Sequence, residues 1–140
     1  MRYAITVLAL AGAVVSALAL QVHYSTATEP CSINERWDCG VVNHSPFAVV
    51  DRVPVAAIGI AGYVVLAALA LARLRFVLLA AALIGFDFAL WLTSIEHNVL
   101  QVWCLYCVIS QGIITLILLS GLGWLGAEYL RLRRVDRLKS

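Results

Sequence analysis

Charge is what this sequence has least of: Asp, Glu, Lys and Arg together make up 13% of the 140 residues, against 63% hydrophobic. A water-soluble domain carries about a quarter charged residues, so the composition excludes that class and leaves the membrane as solvent. The basic residues are segregated along the chain and the net charge is only +2. A nucleic-acid partner, which needs Lys and Arg gathered along a phosphate track, is excluded on that ground. There is no Gly-rich phosphate loop, dinucleotide fingerprint or Ser-His-Asp pattern, which removes nucleotide chemistry and triad hydrolysis. The chemical signal that remains is four cysteines.

Crossing about 30 Å of hydrocarbon takes roughly 20 apolar residues in a helix. Four runs of about that length are present, predicting helices over about 3–22, 54–72, 76–95 and 102–127. An outer loop, 23–53, separates the first two, and Pro54 suits a first helical turn, where its missing N–H costs nothing. Arg73 and Arg75 mark a short turn, making the second and third helices antiparallel neighbours, and a basic tail follows from Arg131 to Lys139. The predicted fold is all-α: a four-transmembrane-helix bundle forming a single domain over 1–140, with an extracytoplasmic loop between helices 1 and 2. A cleaved signal peptide is the competing reading of the first run. Its apolar core exceeds the 7–15 residues of such a peptide, and no clear small-x-small site precedes the loop.

Lys and Arg are retained on the cytoplasmic side of a membrane. Arg2, Arg73, Arg75, Arg131, Arg133, Arg134, Arg137 and Lys139 fall on one side of the four-span arrangement, leaving Arg36 and Arg52 on the other. The chain is expected to be a multi-pass protein of the inner (plasma) membrane with both termini cytoplasmic. The 23–53 loop and the Glu96–Gln101 link, with all four cysteines at or beside them, then face outwards. Within the loop, Asn43-His44-Ser45-Pro46 followed by Phe47, Ala48, Val49 and Val50 reads as an N-cap opening a short surface helix, with an apolar loop packed on the bundle as the alternative.

Cys104 and Cys107 form a C-x-x-C where the fourth helix is expected to begin. Residues three apart share a helix face, and the exposed N–H groups and dipole at a helix start favour thiolate. Cys104 is expected to be the more reactive if it lies in the first turn. Cys107 lies about one turn deeper, where an apolar electron acceptor could reach it. C-x-x-C also serves structural disulfides and zinc sites. Cys31 and Cys39, with seven residues between them in the loop, are a second pair, read alone as a plain structural disulfide. Their placement on the oxidising side favours bonded cysteines, and two facing dithiols can exchange a disulfide without metal or flavin.

The chain resembles bacterial members of the vitamin K epoxide reductase family, quinone-linked disulfide-forming membrane enzymes. The resemblance rests on Cys31 and Cys39, Ser45 six residues after Cys39, the run from Val53-Pro54 to Gly59, and Trp103-Cys104-Leu105-Tyr106-Cys107. It implies that Cys31–Cys39 is a shuttle pair that oxidises a thioredoxin-like partner, and that Cys104–Cys107 is the pair that reduces a quinone, ubiquinone or menaquinone. It also implies that Cys107 lies beside the quinone and that Ser45 closes the pocket above it. Where vertebrate members place an Asn and a Tyr against the vitamin K head group, this chain has Val55 and Gln111, so epoxide reduction is not expected. No thioredoxin-like domain follows the last helix, which makes the expected partner a separate periplasmic protein to a monomeric membrane enzyme. An unrelated four-helix thiol oxidase family carries the two cysteine patterns in the reverse order.

The remaining polar residues take plainer readings. Asp87 is expected as a neutral, hydrogen-bonded side chain inside the bundle, although an intramembrane carboxylate is always a functional candidate. His23, His44 and His97 fall near the outer surface, where a proton donor is useful. The cysteine spacings lack a compact zinc or copper ligand cluster, so no metal is expected. The tryptophans and tyrosines fit interfacial anchoring or core packing. The rival from another class is a non-enzymatic tetraspan scaffold or transporter subunit with structural disulfides.

Overall fold

A computed structural model of the chain describes residues 2–24, 36–38, 42, 44–46 and 49–140. Cys31 and Cys39 lie outside the described residues, as do Asn43, Phe47 and Ala48. The fold is an all-α membrane bundle of four helices: α1 (Arg2–Tyr24), α2 (Val55–Leu71), α3 (Arg75–Ile95) and α4 (Leu105–Lys139). Three are long and apolar enough to cross a bilayer by themselves. The 17 residues of α2 reach about 25 Å at 1.5 Å each, the short end of what spans.

The inward faces follow helical spacing. Buried positions on α1 are Ile5, Ala9, Gly12, Ser16, Ala19 and Val22, and on α2 they are Tyr63, Leu66, Ala67 and Ala70. Because lipid tails are as apolar as leucine, helices in a bilayer associate through close packing, which small residues allow. Gly12 lies against the Tyr63 ring, where a Cβ would collide with it, and a Cβ on Gly59 would come within 2.8 Å of Ser16 Oγ. Thus α1 and α2 pack closely along their lengths. By contrast α2 and α3, joined by the short turn 72–74, make the least contact of the packed helix pairs. The outer faces carry Val64, Phe76, Ile84, Leu116 and Leu119, all more than half exposed, an apolar surface suited to lipid.

Three sequence expectations change. The fourth helix begins at Leu105 rather than near 102, because Trp103 is held extended: its N–H donates to Arg36 O, and its carbonyl accepts from Asp38 N–H at 2.9 Å. The same helix runs past 127 to Lys139, since the Leu- and Arg-rich tail is made of good helix formers. Val49–Val50 do not continue a short helix; they form strand β1, paired antiparallel with β2 (Val53–Pro54). Asp51 and Arg52 both have positive φ, at 49° and 67°, the geometry of a two-residue hairpin turn. Pro54 closes this hairpin and directly precedes α2.

Asp87 departs from expectation as well. It is exposed on the outer face of α3, and no described side chain hydrogen-bonds to it. Its neighbours in the helix, Phe86 and Phe88, turn inward instead and are partly buried.

Candidate functional site

The site forms where α3 ends. After Ile95 the chain widens into a π-helical turn, Glu96–Leu100, and leaves it through Gln101 at φ 54°. Such wide turns re-aim a side chain, and here the effect is to bury Glu96, which is 3% exposed. Cys104 is the N-cap of α4, with extended backbone at φ −100° and ψ 118°. Helix starts leave N–H groups without intrahelical partners. The Cys104 N–H donates to Glu96 Oε2 at 3.2 Å, and the Cys107 N–H donates to Cys104 Sγ at 3.4 Å. The Cys107 thiol also lies within hydrogen-bonding range of both the Cys104 sulfur and the Glu96 carboxylate.

The two cysteines differ in access. Cys104 is fully buried, covered by Val22 of α1 and Val42 of the outer loop. It precedes the first turn rather than lying in it, so the condition for its being the more reactive sulfur is not met. Cys107 is partly buried and lines a cavity of about 610 Å³, within the usual size of a small-molecule site. All four helices contribute to the cavity, with Val55, Gly59, Leu66, Phe88, Leu92 and Ile114 among its apolar walls. Its polar groups are few: Ser16, Tyr63, Thr93, Glu96, Tyr106, Cys107 and Ser110. Val65 and Ile84 on its rim are more than half exposed, so it opens sideways between α2 and α3 onto the apolar surface of the bundle. The loose contact between those two helices is the space the cavity occupies.

Of the residues singled out in the sequence, Cys104, Cys107 and Val55 meet here, the last two on the cavity wall. Gln111 stands behind that wall, with its Oε1 3.4 Å from the hydroxyl of Thr93, which does line the cavity. Ser45 is not a lining residue. Its hydroxyl donates to Val42 O at 2.7 Å, fixing the turn that places Val42 over Cys104. Among the described residues no three His, Cys, Asp or Glu side chains gather as a metal site. His23 and His44 face each other with ring centroids 6.4 Å apart, and His97 lies against Trp103 at 5.8 Å.

Two groups escaped the sequence reading. Glu96 looked like the first polar residue of a short outer link; the available signal was a carboxylate eight residues ahead of Cys104 at the end of an apolar run. Tyr63 looked like packing. Its hydroxyl in fact donates to Ser110 O at 2.9 Å and pairs with Ser110 Oγ at 2.7 Å across the bundle.

Residues 3–122 match the sequence model of the Vitamin K epoxide reductase family. No curated protein matches the chain significantly.

Proposed function

Because the chain belongs to the vitamin K epoxide reductase family, membrane thiol–disulfide oxidoreductases, we propose that it oxidises a separate thioredoxin-like protein and passes the electrons through two cysteine pairs to a membrane quinone. The observation that carries this reading is Cys107 on the wall of an apolar cavity that opens sideways onto the bundle surface. A lipid-soluble ring can reach such a site from the bilayer without crossing water. The cavity's size and apolar lining fit a quinone head group with the start of its tail.

The loop pair starts the relay. Asp38, the residue before Cys39, is hydrogen-bonded to Trp103, the residue before Cys104. That pairing ties the loop carrying Cys31 and Cys39 to the start of the C-x-x-C, and disulfide exchange requires direct sulfur contact. Cys31 and Cys39 take electrons from the partner protein, Cys104 receives them in exchange with the loop, and Cys107 passes them on. Ser45 acts by holding Val42 over Cys104, Val55 shapes the cavity wall, and Gln111 steadies Thr93 from behind. Both termini lie in the cytoplasm and the cysteines outside, where disulfides persist.

Purified protein in lipid nanodiscs, given reduced thioredoxin-like protein or dithiothreitol, tests the order. Cys31→Ser or Cys39→Ser is expected to abolish quinone reduction driven by the protein partner while sparing much of that driven by dithiothreitol, which can reach the helix pair directly. Cys104→Ser and Cys107→Ser are expected to abolish both. Continued quinone turnover by Cys107→Ser with dithiothreitol would remove that sulfur from the quinone side. A wild-type protein that reduces no quinone with either donor would favour a tetraspan scaffold instead.

A further inference from the structure

Moving two electrons from a dithiol to a quinone also moves two protons, which need a carrier between the sulfurs and the quinone oxygens. We propose that Glu96 is that carrier: a catalytic carboxylate that takes the thiol protons of Cys107 and Cys104 and hands them to the quinone oxygens. The proposal rests on the oxidoreductase reading above.

The geometry singles this residue out. Glu96 is 3% exposed, yet it lines the cavity and reaches the cysteine motif at two points, the Cys104 N–H at 3.2 Å and the Cys107 thiol. A buried carboxylate held for structure alone is normally paired with a cation. No Lys, Arg or His lines this cavity among the described residues. The polar groups that share the cavity with Glu96 are Tyr106, Cys107 and Ser110 from α4, Tyr63 from α2, which is engaged with that Ser110, and Ser16 from α1, while Cys104 at the α4 N-cap donates its N–H to Glu96. From α3 comes Thr93, which donates to Ala89 O at 2.9 Å, and His97 next in the chain is exposed against Trp103. Among the described residues, Glu96 is therefore the one carboxylate in contact with both the reacting sulfur and the cavity.

The Glu96 carboxylate takes the Cys107 proton, leaving the thiolate that delivers the electron pair. The resulting carboxylic acid gives that proton to one quinone oxygen. The restored carboxylate takes the Cys104 proton as the Sγ–Sγ bond closes and delivers it to the second oxygen. Two S–H bonds break, one S–S bond forms, the quinone becomes the hydroquinone, and Glu96 ends as it began.

Glu96→Gln keeps an oxygen to accept the Cys104 N–H but cannot carry a proton. General acid–base groups typically contribute about 10²- to 10⁴-fold, so dithiothreitol-driven quinone reduction is expected to fall at least about 100-fold at neutral pH. The deficit should shrink at strongly alkaline pH, well above the ordinary thiol range, where hydroxide can take the thiol protons directly. Thermal stability should hold or rise, because a buried charge is removed. A deficit uniform across pH would assign Glu96 a structural role only, and unchanged turnover would remove it from the site. Glu96→Asp keeps an ionisable carboxyl at shorter reach and is expected to be slower than wild type with the same pH profile; an Asp variant whose deficit closes at alkaline pH, as for a missing base, also overturns the proposal. A wild-type protein that reduces no quinone fails the oxidoreductase reading itself, a result distinct from a wild type that turns over alongside an equally active Glu96→Gln.

Discussion

Tyr63 shows how a single side chain can be committed to the bundle rather than to a ligand. It is 5% exposed, its ring fills the space left by Gly12, and its hydroxyl is occupied twice by Ser110. A hydroxyl so engaged is not free to protonate a bound ring. Tyr63→Phe is therefore expected to lower stability by about 0.5–1.5 kcal/mol, the net worth of a typical hydrogen bond, with dithiothreitol-driven turnover close to wild type. Thermal unfolding and turnover measured on the same nanodisc preparation check this, and lost turnover in a stable variant would place the hydroxyl on the ligand. The cysteines were legible in the sequence because sulfur spacing is local and chemically specific. Glu96 was not, because only the π-helical turn and the positive φ at Gln101 carry it inward, and neither leaves a mark in the pattern of apolar residues.

At the scale of the helices, length and apolarity are what a membrane demands, and all four spans could be read from them. What periodicity could not supply was which face of α3 meets its neighbours, since apolar residues surround that helix on every side. Asp87 was therefore expected inside, and it lies outside. Twelve residues from Arg75, it stands about 18 Å along α3, near the middle of a hydrocarbon layer about 30 Å thick. A charged side chain at that depth costs about 2.5–3.5 kcal/mol on insertion scales. Asp87→Leu is expected to raise the thermal unfolding midpoint in nanodiscs without changing quinone turnover. A drop in stability would mean that Asp87 is satisfied by a contact with another molecule in the bilayer.

At the scale of the whole molecule, the two ends of the bundle have opposite tasks. One end holds Cys104 and Cys107, the hairpin and the loop segment 36–38 paired with Trp103. That pairing joins positions more than sixty residues apart in the sequence, with no local pattern to announce it. The other end is electrostatic: Arg75 pairs with Glu128 at 3.1 Å and lies over the Trp124 ring, tying the α2–α3 turn to α4. Beyond Glu128, α4 continues as helix for another 11 residues, about 16 Å, with Arg131, Arg133, Arg134, Arg137 and Lys139 all exposed. A helix that long cannot hide five cations in hydrocarbon, and positive charge is retained on the cytoplasmic side. A phosphatase reporter that works only outside the cytoplasm is therefore expected to be inactive when fused after Ser140 and active when inserted in the 23–53 loop. Replacing all five of these basic residues with Gln should weaken that bias and produce measurable activity after Ser140, because only Arg2, Arg73 and Arg75 would then oppose inversion. Activity after Ser140 in the unaltered chain would reverse the orientation, placing the cysteines in a reducing compartment and removing the physical basis for a disulfide relay.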